Sequence, residues 1–175
     1  MKASVYIGTS LDGFIAREDG RLDWLIGFAD DEAVKAYQEF TSGIDAILIG
    51  RGTFETVLGF PEWPYEKSVF VLSSSLNELP ADLAGRATLI SMPPREVLSH
   101  LVGLGFTSVY VDGGKVIQAF LKENLIDEFI IATVPVLIGS GIPLFGDLPR
   151  DLSFTHVRTT VASNGLVRSY YLCCE

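Results

Sequence analysis

Three short stretches of this chain combine glycine, hydroxyl and cationic residues at the ends of apolar runs, a mixture suited to holding phosphate oxygens. In Ile49-Gly50-Arg51-Gly52-Thr53-Phe54 an apolar run meets two glycines and a threonine, then passes into helical sequence. Glycine lets a phosphate approach the backbone, and a helix N-terminus offers free N–H groups with a partial positive charge. Thr53 adds a hydroxyl donor, and Arg51 a guanidinium that can pair with a further phosphate. Val111-Asp112-Gly113-Gly114-Lys115-Val116 has the same build. Leu72-Ser73-Ser74-Ser75 sets hydroxyls directly after a third apolar run, suited to holding a phosphate beside Arg51. The first stretch is not the dinucleotide fingerprint, since Glu55 takes the third glycine position. The second is not a Walker A loop, since position 109 is Val and Val116 follows Lys115. Each stretch alone also fits a plain turn with a helix cap. Two glycine turns in one small chain point further, to a pyrophosphate cradle.

The elements that must position these turns alternate in type. Ala3–Ile7, Ala46–Ile49, Val69–Leu72, Ser108–Val111 and Phe129–Val136 read as buried strands, being short, apolar and bounded by Gly or polar residues. Between them lie helical periods. Val34, Tyr37 and Thr41 share a face with Ala33 and Phe40 beside them; Val97, Leu98, Leu101 and Val102 make a stripe that Val116, Ile117, Phe120 and Leu121 repeat. The tail, 154–161 and 166–172, alternates around Asn164-Gly165 and reads as an antiparallel hairpin. The order predicts an α/β domain with helices on both faces of a mainly parallel sheet and an antiparallel C-terminal edge. In such sheets ligands bind at the carboxyl ends of the strands, where the three polar stretches fall. Asp12–Asp23 reads as a long, charged, mobile loop, and residues 59–67 as a packed Pro- and aromatic-rich loop.

The 175 residues suit one domain, residues 1–175, and 48% hydrophobic with 20% charged residues is a globular composition. Thirteen Lys and Arg against 22 Asp and Glu give a net charge of −9, which argues against nucleic acid or an anionic membrane as partner. That charge leaves an anionic cofactor admissible, because distant surface charges are screened over ~8 Å at physiological salt. The two cysteines, Cys173 and Cys174, are neighbours and read as reduced thiols of a cytoplasmic protein. No signal peptide or membrane span is read. His100 and His156 have no partners at metal-ligand spacing, so no metal is predicted, and no G-x-S-x-G elbow is present. Asp30, Asp31 and Glu32 read as the acidic start of a helix. Asp12, beside Gly13, reads equally as a site carboxylate and as a turn aspartate.

Ser10-Leu11-Asp12-Gly13, Asp45 to Phe54, Leu72-Ser73-Ser74 and Asp112 to Val116, in this order and spacing, resemble the dihydrofolate reductase superfamily. Ile126-Asp127-Glu128 and Pro135 to Phe145 resemble its bacterial riboflavin-biosynthesis reductase branch. The resemblance implies a three-layer α/β/α fold with an eight-stranded mixed sheet, and NADPH as cofactor. It implies that Gly50, Arg51, Gly52 and Thr53 grip phosphates at a helix start. Gly113, Gly114, Lys115 and Val116 would then hold the pyrophosphate from the other side. Ser73 and Ser74 with Arg51 would hold the 2′-phosphate, and Ile15 and Ala16 would face the nicotinamide. It also implies a homodimer, pairing through Phe129–Gly139 and the β-rich tail. Two departures concern the substrate. The first long helix carries Ala33 and Val34 where folate reductases place an acid, and 55–61 lacks the branch's Asp-x-Pro loop.

Together these readings predict an NADPH-dependent reductase that passes hydride to a C=N or C=O group of a small pteridine- or ribosylamino-pyrimidine-like substrate. Asp12 is the candidate proton donor, and Trp24, Phe54 and Leu58 the candidate cleft wall. The competing readings are a non-catalytic nucleotide-binding module on the same fold and a scaffold without cofactor.

Overall fold

The computed structural model describes residues 1–174. Its frame is an eight-stranded sheet. The parallel part comprises β1 (Lys2–Thr9), β3 (Ala46–Gly50), β4 (Ser68–Leu72), β5 (Ala87–Ile90), β6 (Ser108–Asp112) and β7 (Glu128–Thr133). The antiparallel edge comprises β9 (Phe154–Val161) and β10 (Val167–Cys173). The order across the sheet is β5-β4-β3-β6-β1-β7-β10-β9. A separate two-stranded ribbon pairs β2 (Phe14–Ala16) with β8 (Ile142–Pro143). The chain leaves central β1, crosses to β3, runs outward to β5, and returns to β6 between β3 and β1. That reversal opens a crevice at the carboxyl ends of β1, β3 and β6.

Alternation along each strand assigns the two faces. Ala3, Val5, Ala46, Leu48, Val109 and Val111 pack with α4 (Pro94–Gly103) and α5 (Gly114–Lys122). Ile47, Ile49, Val69, Val71 and Tyr110 face the other way, toward α2 (Asp31–Ser42) and α3 (Arg51–Leu58). Val116, Ile117, Phe120 and Leu121 are all buried, as the stripe predicts. Phe120 is fully buried, and its truncation to Ala should cost about 3–5 kcal/mol. A third cluster joins Trp24 of α1 (Asp23–Ile26) to Ala132, Val134, Ala162 and Leu166.

Several local expectations change. Val34 and Val102 are exposed: the working face of α2 is Tyr37 and Phe40, and that of α4 is Val97 and Leu101. β5 is an added strand, too short to show a period, held by β4. β7 ends at Thr133, because Val134 donates to the Thr9 carbonyl (2.9 Å) and Val136 folds back on Val134. The Asn164-Gly165 hairpin is a three-residue loop: Ala162 donates to Leu166 (2.9 Å), and Gly165 takes φ +87°, which glycine accepts freely. Asn164 docks this hairpin on the end of α1 through Phe28 O (3.3 Å) and Asp30 Oδ2 (2.8 Å). The segment 12–23 is not wholly irregular. It contains β2, and Arg17 grips Asp23 with Nε (2.7 Å) and Nη2 (2.8 Å).

Candidate active site

The two glycine turns meet. β3 and β6 are neighbours with Ile49 opposite Asp112, so α3 and α5 start side by side. Gly50 caps α3 in extended backbone, and Gly113 caps α5 at φ +97°, a left-handed value that favours glycine. A Cβ on Gly50 would sit 2.8 Å from Val116 Cγ2, and one on Gly113 would collide with the Thr53 hydroxyl. Gly50, Thr53, Gly113 and Val116 therefore interlock, while Gly52 has open space beside it. Neither cap supplies a side-chain acceptor, and neither first turn carries an acid. The first-turn N–H groups thus present two adjacent positive helix ends, with the Asp112 carboxyl on the Gly113 amide (2.8 Å) at the start of α5. Lys115 is exposed at the start of α5.

The serine turn is arranged differently from its expectation. Ser73 is buried and serves the turn itself, its hydroxyl accepting from Ser75 N (3.2 Å) and Leu76 N (3.1 Å). Ser75 is the residue that meets Arg51, with Nη1 donating to its Oγ at 3.0 Å. Arg51 also pairs with Glu55 one turn along (2.8 Å), and Ser74 is exposed.

Ile15 lies over the start of α5: a Cβ on Gly114 would be 2.9 Å from its Cδ1. Ala16 is buried, with its carbonyl against Gly141. Asp12 ties this region down. Ser10 Oγ donates to its Oδ1 (2.6 Å), and the Ile138 and Gly139 amides donate at 3.3 and 2.8 Å. The Ser10 hydroxyl, helped by those amides, holds the Asp12 carboxyl below the usual range. Asp12 is thus an ionised clamp between two loops, poorly suited to giving up a proton.

An acid that the sequence reading placed only as the start of a glycine motif stands in the crevice instead. Asp112 ends β6 on the face of Ser108 and Tyr110, toward α2. Desolvation pushes its carboxyl up to about 6, against the Gly113 amide (2.8 Å) and the Tyr110 hydroxyl, which favour the anion. Tyr37 of α2, Tyr65 of the aromatic loop and Tyr110 are near enough for the charge of Asp112 to raise their own pKa values further. The legible signal was the alternation Ser108-Val109-Tyr110-Val111-Asp112, which puts every polar residue of β6 on one face.

The three residues expected to line a cleft do not form one wall. Phe54 is buried in the core against Trp63 (ring centroids 6.3 Å apart), Leu58 is exposed, and Trp24 sits in the separate third cluster. Phe54 and Trp24 are spoken for by packing. Among the described residues no group of three or more His, Cys, Asp and Glu is placed to hold a metal, and no helix is long and apolar enough to cross a membrane.

Comparison with known proteins gives the family and the fold. The model of the RibD C-terminal domain matches residues 3–168. The chain belongs to the RibD C-terminal domain family. It is 37% identical over 153 residues to the uncharacterized protein YwjB of Bacillus subtilis, covering 86% of each chain. A Shewanella sp. PV-4 protein named for riboflavin biosynthesis superposes with a TM-score of 0.94 at 38% identity, over 100% of both chains. Dihydrofolate reductase of Enterococcus faecalis, solved with NADP(H), has the same fold: TM-score 0.73 at 15% identity, over 99% of this chain and 97% of that one. The RibD C-terminal domain family is thus of the dihydrofolate-reductase-like fold.

Proposed function

We propose that the chain is an NADPH-dependent reductase whose substrate is a small pteridine- or ribosylamino-pyrimidine-like heterocycle. The observation that carries this reading is the interlock of Gly50 and Thr53 with Gly113 and Val116, which brings two uncapped helix N-termini together. A side chain on either glycine would strike Val116 or Thr53, so both turns need glycine to set the two helix starts side by side, and the open space lies beside Gly52. Amides of 51–53 and 114–116 would bind a pyrophosphate, and Arg51 with Ser75 and the exposed Ser74 would take the 2′-phosphate. Ile15 and Ala16 would bound the nicotinamide. The bound dinucleotide supplies a hydride.

The chain's own chemistry is orientation and a proton. Tyr37, Tyr65 and Tyr110 lie near enough to feel the charge of Asp112, which is half-buried at the end of β6. For a C=N or C=O carbon that receives this hydride, Asp112 would donate the proton that the N or O takes as the π pair moves onto it. Solvent then reprotonates Asp112. Holding donor and acceptor carbons ~3–3.5 Å apart is the remaining requirement. Asp112 replaces Asp12 as the donor, and it stands on the sheet where folate reductases use an acid on the helix.

A thermal-shift titration with NADPH and NADH side by side tests the reading. NADPH at ~100 times its Kd should add about 2.7 kcal/mol of apparent stability, NADH less. Thr53→Asp should abolish the NADPH shift. No shift with either nucleotide overturns the reading. A shift with no turnover across pteridine and ribosylamino-pyrimidine substrates would favour the non-catalytic binding module, which the Ala33 and Val34 positions favour. A homodimer is part of the proposal, paired through the β-rich tail, whose Val157 and Val161 are exposed, and not through Phe129–Thr133, which lies between β1 and β10 inside the sheet; light scattering at about 19 kDa would remove it.

A further inference from the structure

Arg51 is the first residue of α3, and its guanidinium has two hydrogen-bond partners among the described residues. Nε donates to Glu55 Oε1 at 2.8 Å, and Nη1 donates to Ser75 Oγ at 3.0 Å. A guanidinium carries five N–H groups, so three remain for a ligand. Ser75 is fixed in turn: its amide donates to the buried Ser73 hydroxyl (3.2 Å), and the two hydroxyls lie 3.3 Å apart. Arg51 is thus held from two sides. One hold is a neutral hydroxyl on the turn after β4, and the other is a carboxylate one helical turn along α3.

The carboxylate needs a reason. A cation in the first turn opposes the helix dipole, and Arg followed by Glu is the weaker order for an i,i+4 pair. Both side chains are 52% exposed, where an ion pair adds little to stability. Glu55 therefore does little for α3, and its effect falls on any anion that meets Arg51. A phosphate monoester carries about −1.5 to −2 charges at pH 7. Such a group gains Arg51 and is opposed by Glu55, which sits on the same guanidinium. A ribose hydroxyl carries no charge and meets no such opposition.

Steadying Arg51 is the other role open to Glu55, and it would favour the phosphate. The Ser75 contact decides between the two. It fixes Nη1 from the turn after β4 without help from Glu55, so the main contribution left to Glu55 is its charge.

We propose that Glu55 is a specificity-determining residue for the nucleotide: it opposes the 2′-phosphate at Arg51 and holds the preference for NADPH over NADH below what Arg51 and Ser75 alone would give. The inference rests on the reductase reading, in which Arg51 and Ser75 take that phosphate.

The test is Glu55→Gln, which removes the charge and keeps a carbonyl to accept from Arg51 Nε. Binding to the full chain is read by calorimetry with NADPH, NADH and two fragments that differ only in the phosphate, adenosine 2′,5′-bisphosphate and adenosine 5′-monophosphate. At about 0.01 M salt, NADPH and the bisphosphate should bind the variant about five- to tenfold more tightly than the parent, with NADH and the 5′-monophosphate unchanged within about twofold. At about 1 M salt the gain should vanish, because charges are then screened over ~3 Å. A residue that only steadies Arg51 would give weaker NADPH binding on substitution and no such dependence on salt. Unchanged or weaker NADPH binding in Glu55→Gln, an equal gain for NADH, or a gain that survives high salt overturns the proposal and leaves the reductase reading standing. Failure of the parent chain to bind either dinucleotide overturns the reductase reading, and this proposal with it.

Discussion

Gly113 faces Thr53 so closely that a β-carbon on the glycine would collide with the threonine hydroxyl. The contact joins the β6–α5 turn to the first turn of α3, and it holds the two helix N-termini side by side.

Gly113→Ala should therefore fail twice. It forces a side chain to φ +97° and into Thr53. Roughly 1–3 kcal/mol of strain corresponds to a fall in Tm of about 2–4 °C per kcal/mol at this size. NADPH binding measured by calorimetry should drop further than the stability loss accounts for. A variant that keeps full NADPH affinity would show that Gly113 serves only the turn.

Arg51→Ala should separate the two nucleotides. Its guanidinium, held by Ser75 at 3.0 Å, takes the 2′-phosphate in the proposed binding mode, and NADH lacks that group. A charge-assisted contact of about 1.5–3 kcal/mol predicts a roughly tenfold or greater loss for NADPH and little change for NADH. Equal losses for both would move Arg51 out of the 2′-phosphate site.

Asp112 makes both activity and stability depend on pH. Its carboxyl is raised from 3.8 to about 6 in the folded chain. Between those values the folded state binds more proton than the unfolded one. The stability it contributes is thus full below about pH 4 and lost as pH rises through about 6. Asp112→Asn should gain stability relative to the parent between pH 4 and 8, by at most ~3 kcal/mol. Turnover should fall above about pH 6 in the parent and by ~10²–10⁴-fold in the variant. Denaturant melts and rate profiles across that range decide the matter; a variant with the parent's pH profile would remove Asp112 as the donor.

Asp12→Ala should act in another way. Its carboxylate holds the 138–139 amides and is ionised well into acid. Hydrogen exchange at Ile138 and Gly139 should speed up, while the pH profile of turnover keeps the parent's shape. Its own contribution to stability is present above its unfolded pKa and fades only as pH falls through its lowered value. A flattened rate profile in this variant would restore Asp12 as a proton donor.

Much of this protein can be read from its residues in order. The stripe Val116, Ile117, Phe120, Leu121, the apolar runs at 46–49 and 69–71, and the glycines at 50 and 113 act through local periodicity and backbone freedom, so they are visible before folding. The helix faces were readable only in part. Val34 and Val102 have the right spacing and still lie outside the packed face, because the sheet's twist decides which part of a stripe it covers. The roles of Asp12 and Asp112 depended wholly on tertiary structure. Each stands next to a glycine in the sequence. Amides from residues 138 and 139, over a hundred positions away, make one an ionised clamp, and burial within the folded chain makes the other a weak acid. Charge on a side chain is a property of its type, whereas its pKa comes from neighbours that distant parts of the chain supply.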